Sequence, residues 1–122
     1  MDHFWPGRIT LVFKAAADVP SYLTAGTGKI GIRLPGHPAA AALLRVLPTP
    51  LTGTSANLSG KPGCRRIEDL ENQIAGSLDL ILDAGTLNGG IGSTVVDVTI
   101  EPPKILREGE VSGAEIMTIL ET

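Results

Sequence analysis

Residues 9–15 read Ile-Thr-Leu-Val-Phe-Lys-Ala, a β-prone run that begins just past Pro6-Gly7. Branched and aromatic side chains favour the pleated backbone, and a Pro-Gly pair marks a turn before it. A strand needs neighbours, and the chain offers several. Lys29 to Leu34, KIGIRL, is a second short strand closed by Pro35-Gly36, after a loop from Asp18 to Gly28 that carries Pro20 and Gly26. Thr94 to Thr99, TVVDVT, is strongly β-branched, and Lys104 to Leu106 is a short strand behind it. Leu51 to Ser55 and the apolar core Leu78 to Leu82 are expected to add two more.

Helices alternate with these runs. Pro38 to Leu47, PAAAALLRVL, has helical Ala/Leu content with proline in the tolerated first turn, and Pro48 and Pro50 stop it. Ile67 to Ala75 places Ile67, Leu70 and Ile74 on one helical face. Ser112-Gly113-Ala114-Glu115 matches a capping box and opens a helix to about Leu120. The order β, β, α, β, α, β, β, β, α predicts an α/β domain bordering on α+β, with a mixed sheet. No repeat or linker interrupts residues 1–122, so a single domain is expected.

Composition bounds the function. Hydrophobic residues make up 43% of 122, enough for one core, and Phe4, Trp5, Phe13 and Tyr22 are its only aromatics. Fifteen Gly and nine Pro argue against a helical bundle. A formal net charge of −3 gives no broad footprint for nucleic acid or anionic membrane, so phosphate would need a placed basic site. The single cysteine, Cys64, makes no internal disulfide, which fits a reducing compartment. No apolar run reaches the roughly 20 residues of a membrane span, and residues 1–6 lack a signal-peptide pattern. A soluble, cytoplasmic chain is the expectation.

Three segments could carry chemistry. Arg33 ends an apolar strand, where an unpaired cation is costly to bury. It is either a snorkelling surface residue or a fork for a carboxylate or phosphate. In Thr54-Ser55-Ala56-Asn57-Leu58-Ser59-Gly60 the hydroxyls and amide either satisfy their own loop or line a polar pocket. Gly89-Gly90-Ile91-Gly92-Ser93-Thr94 is either a turn that needs glycine or a close backbone approach to a ligand. It lacks the Gly-Lys-Ser/Thr of a Walker A loop. Arg107 is a second strand-end arginine, equally open. His3 and His37 lie far apart, so no metal-ligand spacing exists, and no Gly-x-Ser-x-Gly elbow is present. Cys64 reads as an incidental loop thiol.

Taken in order, Phe4-Trp5-Pro6-Gly7, ITLV, IGIRLP, HPAAAALL, TSANLSG, LILDAG, STVVD and ILREG resemble the YrdC-like family of threonylcarbamoyl-AMP synthases over essentially the whole chain. The resemblance implies a twisted open sheet around a positively lined cavity. It implies a reaction of L-threonine, bicarbonate and ATP that gives threonylcarbamoyl-AMP and pyrophosphate, for threonylcarbamoyladenosine in tRNA. ATP is then a substrate, with Mg²⁺ held mainly by its phosphates. Arg33 and Ser55 would contact threonine, with Ser93 closing that subsite; Asn57 and Arg107 would contact ATP.

The sequence departs from the family pattern at Arg8, where proline is usual, at Lys29, where threonine is common, and at Gly63-Cys64-Arg65, in place of a Ser-Pro-Thr-like stretch. The family's Tyr-Pro-Thr-Glu-Thr-Tyr-Gly-like and Lys-x-Arg motifs are absent, so the chain reads as the carboxyl-terminal portion of such a domain. Self-association through exposed sheet surface is the expected consequence. Two rival readings are a non-catalytic RNA- or nucleotide-binding module and the carbamoyl-adenylate domain of a hydrogenase-maturation carbamoyltransferase.

Overall fold

A computed structural model describes residues 4–88 and 90–120. Four strands form one sheet: β1 (Ile9–Lys14), β2 (Lys29–Ile32), β3 (Thr94–Asp97) and β4 (Lys104–Arg107). Their spatial order is β2-β1-β3-β4, with β1 and β3 parallel and both outer strands antiparallel to their neighbours. The mixed α/β sheet expected from the sequence is therefore present. Three helices accompany it: α1 (Pro38–Val46), the four-residue α2 (Asn72–Ala75) and α3 (Gly113–Leu120).

Register assigns the two faces, because directly paired residues share a face and successive residues alternate. Leu11 pairs with Ile32 and with Val96, Phe13 with Ile30, and Val96 with Ile105. That face is apolar. It meets α3 through Ile116, and Ile9, Leu11, Val96, Val111 and Ile116 form the buried core, with Phe4, Trp5, Phe13, Val98 and Ile105 packed around it. The Trp5 indole Nε1 donates to the Ile9 carbonyl at 3.0 Å, tying the entry segment to β1.

Caps explain the helix starts. Pro38 occupies the first turn of α1, and His37 Nδ1 accepts from the Ala39 amide at 3.3 Å. Ser112 Oγ accepts from the Glu115 amide at 3.2 Å, one half of the expected capping box. The β3 strand stops at Asp97 instead of Thr99, because the Asp97 carboxylate accepts from the Thr99 amide and hydroxyl and turns the chain.

Three expected elements differ. Leu51–Ser55 and Leu78–Leu82 are exposed and unpaired rather than strands. An apolar run becomes a strand only where a neighbour supplies the ladder, and neither segment meets one among the described residues. The helix expected over 67–75 is a single 3₁₀ turn, Ile67–Asp69, followed by α2, with Leu70 extended between them. Ile67 is exposed, so its apolar stripe lacks the packing that sustains a helix this short.

Candidate functional site

The opposite sheet face carries the charged side chains, with Val95 and the buried Val12 between them. Thr10, Val12 and Lys14 alternate away from the core on β1, and the register puts Lys29, Gly31, Val95, Asp97, Lys104 and Arg107 beside them. Arg33 and Ser93 extend this alternation by one residue past the paired positions of β2 and β3. Five cations (Lys14, Lys29, Arg33, Lys104 and Arg107) thus share a face with one carboxylate, Asp97, in a chain whose formal charge is −3.

Strand directions gather three of the five candidate side chains. The carboxyl ends of β2 and β4 and the amino ends of β1 and β3 lie at one end of the sheet, with β2 and β4 as its two outer strands. Arg33, Ser93 and Arg107 stand there. The Arg33 Nε donates to the Gly7 carbonyl at 2.8 Å, and the Gly7 amide donates to the Leu34 carbonyl at 2.8 Å. These bonds hold the guanidinium by its stem while the side chain stays exposed, so its two terminal nitrogens can serve as a fork.

Ser93 is 6% exposed and is held at both ends: the Arg107 Nη2 donates to its carbonyl at 2.8 Å, and its Oγ lies 2.7 Å from Thr10 Oγ1. Gly92 makes this possible. Its φ of +83° is one that side chains rarely adopt, and a Cβ there would stand 3.6 Å from the Arg107 guanidinium.

Ser55 and Asn57 sit on the exposed loop between α1 and the 3₁₀ turn. The Asn57 Nδ2 donates to the Leu58 and Lys61 carbonyls at 3.0 and 2.9 Å, the self-satisfying arrangement weighed for this loop, which leaves its amide oxygen to accept. Among the described residues no hydrogen bond joins Ser55 or Asn57 to Arg33, Ser93 or Arg107. The loop is nevertheless tied to the approach to Ser93: Arg65 Nε donates to the Leu87 carbonyl at 2.9 Å, and the Leu87 amide donates back to the Arg65 carbonyl at 2.8 Å. Of the glycine connection, Gly89 lies outside the described residues.

At the other end of the polar face Lys29 Nζ meets Asp97 Oδ2 at 2.7 Å. The Lys29 ammonium, then the Thr99 hydroxyl and amide, hold the Asp97 carboxyl down at about 2. Sequence reasoning missed this pair and Thr10. An aspartate inside a β-branched run signals a partner, but which lysine answers it depends on register. Among the described residues no three His, Cys, Asp or Glu side chains gather as a metal-ligand set, and no helix is long and apolar enough to cross a membrane.

The Sua5/YciO/YrdC family model, described as telomere recombination, matches residues 1–109. The threonylcarbamoyl-AMP synthase of Pyrococcus abyssi is 35% identical over 117 residues, which cover 96% of this chain and 34% of that protein. The threonylcarbamoyl-AMP synthase of Bacillus subtilis is 36% identical over 121 residues, covering 98% of this chain and 35% of that one. The crystal structure of P. abyssi Sua5 complexed with L-threonine matches with a TM-score of 0.89 and 34% identity, over 98% of this chain and 35% of that chain. The chain spans about a third of the length of these relatives.

Proposed function

The chain belongs to the Sua5/YciO/YrdC family, and from that premise we propose that its polar sheet face carries L-threonine and nucleotide subsites of a threonylcarbamoyl-AMP synthase. The observation that carries this reading is the cation-rich face, with two strand-end arginines at one end of the sheet, in a chain of net negative charge. Such a face suits substrates that each present an anionic group: the carboxylate of an amino acid, bicarbonate and a triphosphate.

In this reading Arg33 receives the threonine carboxylate through its terminal nitrogens, Ser55 also contacts threonine, and Ser93 closes that subsite. Arg107 and Asn57 contact ATP. Threonine and bicarbonate give a carbamate with loss of water. Its oxygen attacks the α-phosphorus as the bond to pyrophosphate breaks. Charge accumulates on phosphate oxygens during that step, and arginines already held in place stabilise it without reorganising. Mg²⁺ would accompany ATP, held mainly by its phosphates. The product would serve threonylcarbamoyladenosine formation in tRNA, in a cytoplasmic setting.

Pyrophosphate release from ATP, followed with and without L-threonine and bicarbonate, tests the reading. Threonine-dependent release that Arg33→Ala abolishes is the expected result. If the chain shows no release alone, an added amino-terminal segment from a family member should restore it. Release indifferent to both threonine and Arg33→Ala would overturn the assignment. The same five cations suit a polyanion, so an RNA-binding module is the second reading. Salt-sensitive binding of structured RNA, without affinity for threonine or ATP, would favour it.

A further inference from the structure

Ser93 has its main chain fixed by Arg107, but its hydroxyl turns about a single bond and meets one partner among the described residues, Thr10. We propose that Thr10 is a positioning residue, which sets the direction of the Ser93 hydroxyl and thereby the affinity for the amino-acid substrate. The inference rests on the threonine subsite proposed above.

Two observations on different strands support it. First, the 2.7 Å separation between Thr10 Oγ1 and Ser93 Oγ is that of a good O–H···O bond. Each hydroxyl owns one proton. When Thr10 donates to Ser93, the Ser93 proton stays free for a ligand oxygen, and the bond between the hydroxyls polarises it in the useful direction. Second, Thr10 is itself held. Its Cγ2 lies 3.1 Å from where a Cβ on Gly31 would stand, so the missing side chain on β2 makes the notch that seats the methyl. A β-branched residue with its methyl seated has little freedom at χ1, and its Oγ1 is thereby turned toward β3. Gly31, Thr10 and Ser93 form a line across three strands that ends at the candidate subsite.

Calorimetric titration of L-threonine into the chain tests this with wild type, Thr10→Val, Thr10→Ser, Ser93→Ala and the Thr10→Val/Ser93→Ala double variant. Valine keeps the branched shape and the seated methyl, and thermal melts check that each variant folds; Thr10→Ser restores the hydroxyl and guards against a packing artefact. The expected result is a roughly five- to tenfold weaker threonine affinity in Thr10→Val, near wild type in Thr10→Ser, with ATP affinity unchanged. In the Ser93→Ala background Thr10→Val should cost nothing further, because the hydroxyl it orients is gone. Unchanged affinity in Thr10→Val, or an equal loss with and without Ser93, would overturn the inference and leave the subsite reading standing. A wild-type chain that takes up no threonine would overturn both.

Discussion

At the scale of single residues, the face reads as charges that have been placed. Asp97 is 5% exposed, and Lys29 is its chief support. Its carboxyl is lowered from an ordinary 3.8 to about 2, so the folded chain holds the ionised form more tightly than the unfolded chain does. The stability this provides is complete above about pH 4 and is lost as pH falls toward 2. Lys29→Met removes the first cause and leaves the Thr99 bonds. Its acid unfolding midpoint, followed by circular dichroism from pH 6 to 2, should therefore move upward. An unmoved midpoint would show that Lys29 is incidental. Arg33 differs in kind, because its fork and not its charge alone is at stake. Arg33→Lys should weaken L-threonine about tenfold or more in a calorimetric titration, although the net charge is unchanged. Both strand-end arginines were legible in the sequence, since a cation closing an apolar strand needs a reason. Thr10 was not, because its meaning depends on which residue of β3 stands beside it.

Elements are fixed by where their hydrogen bonds go. Thr94 is fully buried, accepts from the Gly109 and Val111 amides at 2.9 and 3.3 Å, and donates to the Val111 carbonyl at 2.5 Å. One hydroxyl thus fastens β3 to the segment that leads into α3. Thr94→Val strands two amides and should cost about 1–3 kcal/mol in urea unfolding. Ile116→Ala opens the core beneath α3 and should cost about 2–5 kcal/mol by the same measurement. Ser93→Ala, whose hydroxyl touches only the polar face, should cost less than either. The four strands of the sheet were legible because β-branched runs bounded by turns bury one face whatever else happens. Leu51–Ser55 and Leu78–Leu82 carry similar composition yet stay unpaired. Composition states a willingness to pair; the neighbour decides it. The 67–75 segment failed as a helix for a related reason, since Ile67 at the head of its periodic stripe is exposed and Leu70 and Ile74 are only half-buried.

For the whole molecule, apolar exposure and charge segregation stand out together. Val46, Leu80 and Ile91 are 79%, 75% and 75% exposed, and Leu82 is 64% exposed. Runs of this kind promote association when nothing covers them. Light scattering on the 12.7 kDa chain should give a mass that rises with concentration, and Leu80→Lys with Leu82→Lys should lower it. A concentration-independent monomer would contradict this. The polar face, by contrast, is an ordered array whose sidedness follows from strand register, and ligand binding at that face is the central claim. Amide chemical shifts in the isotope-labelled chain, followed on adding L-threonine and then ATP, test that claim most directly. Shifts are expected at Thr10, Gly31, Arg33, Ser93 and Arg107, with Leu11, Val96 and Ile116 on the core face nearly still. Shifts confined to the core face, or none at saturating ligand, would contradict it.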